Sequence, residues 1–220
     1  MSYTRGPGDG GRRPFVRPAD DPPGTSRLFV AVPVAQDVRE AVGRLMEQLA
    51  GAPIDVRGPG QPRWVRVDGL HLTLRFLGAT PDGRVGELAA ALASAAQGVA
   101  PFRVELGGGG AFPDARRPRV LWIGIGAGAP ELGALARRLD GELERLGWPP
   151  DRRPFAAHLT LARTDGVAGA DEKAARLIEL GRGVRLGWMA DSLVLYKSLL
   201  GHGPTRYEVL AHEGLGEVQL

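Results

Sequence analysis

The sequence contains no cysteine, which removes several classes of chemistry at once. Without thiols the chain can form neither disulfides nor thiolate metal sites, and it cannot use a cysteine nucleophile. No apolar run approaches the roughly 20 residues that a membrane-spanning helix requires, and residues 1–26 lack the apolar segment of a secretory signal. We therefore expect a soluble cytoplasmic protein that does not engage a membrane.

Lysine is nearly absent as well, since Lys173 and Lys197 are the only two lysines among 28 basic residues. An arginine bias together with many Ala, Gly and Pro residues is typical of GC-rich coding and explains most of the arginines without a functional role. The net charge of +3 favours an anionic partner only slightly.

Residues 1–26 are rich in Gly, Pro, Arg and Asp and contain almost no aliphatic side chains. Such a segment buries too little apolar surface to offset the entropy of ordering, so we expect a disordered leader. Residues 27–220 form the predicted folded region, which is long enough for one well-filled domain of two lobes.

Apolar spacing predicts strands and helices that do not alternate as regular βαβ units, which favours an α+β fold with mostly antiparallel sheets. Thr80 and Pro81 carry the signature of a helix start, and Gly107 to Gly110 predict a flexible loop. The strands are expected at 28–33, 63–65, 70–77, 102–106, 120–125, 155–162, 184–188, 192–198 and 207–211, and the helices at 35–50, 81–97, 130–146 and 170–181.

One tetrapeptide, His-Leu-Thr-Leu, occurs twice, at 71–74 and at 158–161. Side chains at positions i and i+2 of a strand share a face. Each copy therefore places an imidazole beside a hydroxyl, with both leucines turned toward a core. Two such strands facing each other would offer two imidazoles and two hydroxyls to one small anionic group.

Two histidines at one centre can divide the work of phosphodiester cleavage. A neutral imidazole takes a proton from the nucleophile, and a protonated one gives a proton to the leaving oxygen. The hydroxyls of Thr73 and Thr160 can donate hydrogen bonds to phosphoryl oxygens. The residues alone do not say whether His71 or His158 is the acid.

Arginine would add positive charge and a bidentate fork at such a site. Arg75 lies at i+2 from Thr73, so strand parity predicts that it points the same way as His71 and binds phosphate. Arg163 lies five residues after His158 and formally on the opposite face, so it can contribute only if the strand ends or bulges before it.

Other chemistries fit less well. Asp68 and Asp165 are the nearest acids, and neither stands at a metal-ligand spacing from a histidine, so we expect no metal or other cofactor. No G-x-S-x-G elbow supports a serine triad, and Gly107 to Gly110 lack the Lys-Ser/Thr of a phosphate loop.

Among the aromatic residues, Phe76 has the parity of Leu72 and Leu74 and is predicted to lie in the core. Phe112 is predicted to lie in a loop beside a basic stretch, and we hypothesise that it contacts a base.

These features resemble those of the 2H phosphoesterases, and within them the bacterial and archaeal RNA 2′,3′-cyclic phosphodiesterases, first described as 2′-5′ RNA ligases. The resemblance spans about Arg27 to Leu215 and excludes the leader. It is carried by both tetrapeptides and their flanks, which are Arg27-Leu-Phe-Val-Ala-Val, Arg63-Trp-Val, Leu70 to Gly78, Pro118-Arg-Val-Leu-Trp, Arg153-Pro-Phe and His158 to Arg163.

The resemblance implies two pseudo-symmetric lobes with outer helices and a central cleft lined by the two H-x-T strands. It further implies metal-independent hydrolysis of 2′,3′-cyclic phosphate ends of RNA to 2′-phosphates. We expect a monomer that acts on such RNA ends or on a small cyclic nucleotide. His71 would be the proton donor to the leaving 3′ oxygen and His158 the general base, with Thr73, Thr160 and Arg163 on the phosphate. Reversible 2′-5′ ligation and non-catalytic binding of RNA ends are the alternatives.

Overall fold

The computed structural model describes residues 21–54, 60–151, 154–199 and 205–216. Two antiparallel sheets form the framework, a four-stranded sheet in the order β3-β1-β8-β9 and a five-stranded sheet in the order β2-β6-β5-β4-β7. Their strands are β1 Thr25–Pro33, β2 Arg63–Trp64, β3 His71–Pro81, β4 Phe102–Phe112, β5 Val120–Ile125, β6 His158–Arg163, β7 Gly187–Ala190, β8 Ser192–Leu199 and β9 Arg206–Gly214.

Four helices cover the sheets, α1 Gln36–Ala50, α2 Val85–Ala96, α3 Ala129–Arg145 and α4 Ala170–Gly181. Helices α2 and α3 pack on the first sheet, whereas α4 packs on the second sheet and also contacts α1. Each lobe therefore combines one sheet with outer helices, and the predicted α+β, two-lobed architecture is confirmed.

The lobes are not halves of the sequence. Strands β8 and β9, from the C-terminal part, complete the first sheet, and β2, from the N-terminal part, forms an edge of the second. The Trp188 indole on β7 donates a hydrogen bond of 3.0 Å to the Pro33 carbonyl at the end of β1. This exchange of strands lets one continuous apolar core underlie both sheets.

The predicted start of a helix at Thr80-Pro81 is wrong. Strand β3 continues to Pro81 and α2 begins only at Val85. Thr80 is 1% exposed, and its hydroxyl donates to the Gly78 carbonyl rather than to the first turn of a helix. Pairing with β1 over the whole length of β3 overrides the local capping signal.

The predicted flexible loop at Gly107 to Gly110 is also wrong, because these residues belong to β4. The last two are glycines because α4 and an indole lie directly against the strand. A Cβ added to Gly109 would stand 2.2 Å from the Leu177 carbonyl oxygen, and one added to Gly110 would stand 2.3 Å from the Trp122 ring. Gly108 has a positive φ of 76°, which favours glycine for a different reason.

Strand β1 includes the last two residues of the predicted leader, and the leader's first 20 residues lie outside the described part of the chain. No helix among the described residues is long and apolar enough to cross a membrane.

Candidate active site

The two H-x-T strands, β3 and β6, contact each other where the lobes meet. In each strand the histidine and threonine are half-buried on one face and the leucines between and after them are buried on the other. The alternation therefore follows strand parity as far as the fourth residue of each motif. The predicted cleft lined by two H-x-T strands is present.

Both strands carry a β-bulge directly after the motif threonine. In β3, Thr73 pairs with Ala31 but Arg75 pairs with Val30, so Leu74 is an extra residue. In β6, Thr160 pairs with Trp122 but Ala162 pairs with Leu121, so Leu161 is extra in the same way. An extra residue reverses the pleat, and the side chains beyond it change face.

The bulge makes the prediction for Arg75 wrong. Its side chain is only 7% exposed and lies on the helix side of β3, away from His71. The guanidinium forms an ion pair of 3.1 Å with Asp140 of α3 and donates a hydrogen bond to the Pro149 carbonyl. Arg75 therefore fastens the H-x-T strand to its supporting helix and does not point into the cleft.

The same reversal makes the prediction for Phe76 wrong. Phe76 was expected in the core, but it is 64% exposed, and its ring centre lies 5.9 Å from that of Phe29 on the His71 side. The equivalent residue of β6, counted from the motif, is Arg163, which is the exposed last residue of that strand. The bulge thus supplies the condition under which Arg163 can face the site.

Each catalytic candidate is oriented by the same hydrogen bond. Nδ1 of His71 lies 2.7 Å from the Gly69 carbonyl oxygen, and Nδ1 of His158 lies 2.7 Å from that of Ala156. A carbonyl only accepts, so in the neutral ring Nδ1 carries the hydrogen and Nε2 holds the lone pair. Both imidazoles therefore leave Nε2 as the nitrogen that exchanges protons with a ligand.

Burial makes both histidines weak bases in the free protein. It lowers the pKa of His71 to about 4, against the opposing effect of the Gly69 hydrogen bond, and the charge of His158 lowers it further. Burial also lowers the pKa of His158, and the hydrogen bond to the Ala156 carbonyl opposes this effect. Each ring is thus neutral at pH 7 in the free protein.

Aromatic rings enclose His71. Its ring centre lies 4.7 Å from Phe29, 5.0 Å from Tyr207 and 6.0 Å from Tyr196. By sequence, Phe29 and Tyr196 are strand aromatics that could stack on a base but more commonly lie in a core, and no local pattern singles out Tyr207. These residues come from β1, β8 and β9, so only the sheet order brings them to His71.

The surroundings of His158 are built differently. Phe112 ends β4, and its ring meets the imidazole edge-on at 5.0 Å, with Trp122 at 6.3 Å. The predicted loop at Phe112 is wrong, because this residue is the last of strand β4 and lies beside His158. The Trp122 Nε1 is buried without a hydrogen-bond partner among the described residues.

Arg163 connects the second lobe with the first. Burial raises the pKa of the Tyr207 hydroxyl, and the positive charge of Arg163 opposes that rise. The charge of Arg163 on β6 thus acts on Tyr207 of β9, a neighbour of His71 in the first sheet. The described residues contain no cluster of three His, Asp or Glu side chains suited to holding a metal ion.

Comparison with known proteins places this geometry in a family. Residues 33–202, which include both tetrapeptides, match the model of the 2′-5′ RNA ligase superfamily. The chain is 31% identical over 171 residues to an RNA 2′,3′-cyclic phosphodiesterase of Methanothermobacter thermautotrophicus, covering 78% of this chain and 88% of that protein. A protein of the same name from Aeropyrum pernix is 37% identical over 152 residues, 67% of this chain and 85% of its own length.

A third relative of that name, from Geobacillus stearothermophilus, is 33% identical over 84% of this chain, which spans only 56% of that longer protein. Among solved structures, E. coli LigT complexed with 3′-AMP superposes with a TM-score of 0.69 at 27% identity, over 88% of this chain and 99% of LigT. The structure of TT0787 from Thermus thermophilus superposes with a TM-score of 0.70 at 29% identity, over 88% of this chain and 100% of TT0787. By its family match, its relatives and its fold, the chain belongs to the 2′-5′ RNA ligase superfamily.

Proposed function

We propose that the protein hydrolyses 2′,3′-cyclic phosphate ends of RNA to 2′-phosphomonoesters, as an RNA 2′,3′-cyclic phosphodiesterase. The observation that carries this is the matched pair of H-x-T strands, each with its imidazole held by a backbone carbonyl and its threonine on the same face. The names of the relatives in Methanothermobacter and Aeropyrum support the same reaction.

In the proposed reaction His158 acts as the general base and His71 as the proton donor. Nε2 of His158 takes a proton from water, whose oxygen forms the new bond to phosphorus. The bond from phosphorus to the 3′ oxygen breaks, and Nε2 of protonated His71 gives its proton to that oxygen. Because burial lowers the pKa of His71, the donor takes up its proton with the bound anion, whose charge stabilises imidazolium.

The remaining roles follow from position. Thr73 and Thr160 donate hydrogen bonds to the non-bridging oxygens, and Arg163 neutralises charge that develops on them. Phe112, edge-on to His158, contacts a base on that side of the phosphate. None of these roles uses a metal or another cofactor.

The test is a phosphatase-coupled assay of oligonucleotides with 2′,3′-cyclic ends, carried out in EDTA, with the position of the product phosphate determined. We expect a 2′-phosphate from the wild-type protein and at least a 10²-fold loss in His71→Ala and His158→Ala. Full activity in both variants, or activity that EDTA removes, contradicts the proposal.

A substrate with sulfur in place of the 3′ oxygen separates the two histidines. A thiolate leaves without a proton donor, so this substrate should restore His71→Ala but not His158→Ala. The opposite pattern exchanges the two roles.

The ligase reaction is the second candidate, because it is the same chemistry reversed and the matched family is described by it. Incubation of cyclic-ended RNA with 5′-hydroxyl RNA, followed by analysis of the linkage, detects it. Tight binding of cyclic-ended RNA that stays intact would instead indicate a non-catalytic binding protein. Our proposal further includes a monomer acting in the cytoplasm.

A further inference from the structure

A cavity of about 570 Å³ opens beside His71, and none of the roles above uses it. It lies between the start of β3 and the last strand of the first sheet. Its lining includes Arg39, Arg66, Asp68, Tyr196, Arg206 and Tyr207. The volume falls within the range of small-molecule sites, about 300–1,000 Å³.

The proposed mechanism indicates which nucleoside belongs on this side. In an in-line displacement, water and the 3′ oxygen lie on opposite sides of phosphorus. The ribose carries the leaving oxygen, so it lies on the side of the proton donor, His71, and water lies on the side of His158. The cavity beside His71 is therefore where this nucleoside has room.

The walls of the cavity suit a nucleoside. Tyr196 and Tyr207 are half-buried, line the cavity, and have their ring centres 6.0 and 5.0 Å from that of His71. The Tyr207 ring is fixed by packing on Gly69, where an added Cβ would stand 3.0 Å from the ring. Fixed aromatic rings are the usual stacking partners of unpaired bases.

The charges of the cavity favour a further anion. Arg66 donates two hydrogen bonds, of 2.9 and 2.7 Å, to the Asp68 carboxylate, so these charges cancel. Arg39 donates to the Asp68 backbone oxygen at 3.1 Å, which leaves its charge uncompensated by that contact, and Arg206 is exposed at the rim. Three guanidinium groups thus face one carboxylate.

The neighbouring cavity does not share this excess of positive charge. A second cavity of about 730 Å³ along α1 shares Arg39, Arg66 and Asp68 but adds Glu40 and Glu47, so acids outnumber arginines there. An anion in this cavity is therefore best placed near Arg39 and Arg206, which both line it.

We propose that the cavity beside His71 holds the nucleoside bearing the cyclic phosphate, and that Arg39 and Arg206 bind the phosphate on its 5′ side. The assignment rests on the proposed function and specifies its substrate as a nucleotide that continues in the 5′ direction. Phe112 lies beside His158, on the side of the attacking water, so under this assignment it contacts a different base.

The experiment compares adenosine 2′,3′-cyclic phosphate carrying a 5′-hydroxyl with the same compound carrying a 5′-phosphate. We expect the 5′-phosphate to lower KM about tenfold in the wild-type protein, the effect of one charge-assisted contact. The Arg39→Ala/Arg206→Ala variant should reduce that advantage to less than about twofold. Arg39→Lys, which keeps the charge, should retain most of it.

Arg44→Ala is the matched control, because Arg44 is an exposed arginine on the same helix that lines neither cavity. It should leave the tenfold ratio unchanged. The ratio in wild-type protein should also fall toward one as salt is raised, and this measurement does not depend on the folding of any variant.

Equal KM values for the two compounds, or a ratio that Arg39→Ala/Arg206→Ala does not change, overturn the assignment while leaving the proposed function intact. Loss of binding of both compounds in Phe112→Ala alone would also overturn it, because it would place the nucleoside beside His158. Hydrolysis of neither compound, nor of cyclic-ended oligonucleotides, by wild-type protein would instead count against the proposed function.

Discussion

Each histidine of the cleft gains its orientation from a carbonyl two residues earlier in the chain. The Gly69 and Ala156 carbonyls hold Nδ1 of His71 and His158 at the same distance, 2.7 Å. The short segment before each strand is thus part of the site. It fixes the tautomer that a general base needs, and it does so without an acidic side chain.

Stability should depend on pH through His71. Its pKa falls from the ordinary 6.5 to about 4 in the folded protein, so the unfolded chain binds a proton first as pH decreases. The contribution of neutral His71 to stability is therefore fully present above about pH 6.5 and is lost as pH falls toward 4. Between pH 7 and 4, we expect the wild-type protein to lose up to about 3 kcal/mol more unfolding free energy than His71→Gln.

Urea unfolding at a series of pH values measures this difference. His212→Gln is the control, because His212 is exposed on β9 and should leave the wild-type pH dependence unchanged. Identical pH dependence in His71→Gln and wild-type protein would show that His71 titrates normally in the folded state.

At the scale of elements, the β-bulge after each motif threonine decides which side chains face the cleft. It turns Arg75 and Ala162 inward and Phe76 and Arg163 outward, at equivalent positions of β3 and β6. One irregularity, used twice, thus gives the first lobe an aromatic ring and the second lobe a guanidinium at the same place.

Arg75 and Arg163 should therefore respond oppositely to truncation. Arg75→Ala leaves the Asp140 carboxylate without its partner and should lower the free energy of unfolding by about 3 kcal/mol. Arg163→Ala should change stability by less than about 0.5 kcal/mol but reduce kcat/KM about 10²-fold. Urea unfolding and kinetics on the same preparations measure both effects, and loss of substrate affinity in a fully stable Arg75→Ala would contradict the orientation seen here.

The glycines of β4 give a second test at this scale. Gly110→Ala would place a methyl group 2.3 Å from the Trp122 ring, which packs against Phe112 at 5.1 Å. We expect a destabilisation of about 1–3 kcal/mol and a lower kcat/KM, because the rings beside His158 must move.

Gly107→Ala is the matched control on the same strand, since an added Cβ there meets no atom within 4 Å. Thermal unfolding and the cyclic phosphodiesterase assay compare the two variants. Equal tolerance of both substitutions would mean that Trp122 has room to shift without disturbing the site.

At the scale of the whole molecule, one chain supplies both halves of the cleft, because β3 and β6 meet within it. The proposed monomer predicts that a mixture of His71→Ala and His158→Ala proteins stays inactive. A cleft shared between chains would restore activity, since some assemblies would contain one intact copy of each histidine. The phosphatase-coupled assay of the mixture, with gel filtration of each variant, makes this measurement.

The repeated His-Leu-Thr-Leu by itself determined the essential chemistry, because a strand's two-residue period places imidazole and hydroxyl on one face wherever the strand lies. The same period predicted the wrong side-chain directions for Arg75 and Phe76. A bulge depends on how the neighbouring strand pairs, so it cannot be seen in the local spacing of residues. Gly109 and Gly110 of β4 are typical of a loop in the local sequence, because the groups that require glycine there, α4 and Trp122, are remote in sequence.

Only the tertiary structure brought Tyr196 and Tyr207 from the C-terminal strands to His71, and Arg39 and Arg206 to one cavity. The sequence thus specified the reacting groups through local periodicity. The order of strands in the two sheets decided what surrounds those groups, because long-range pairing brings together residues that no local pattern connects.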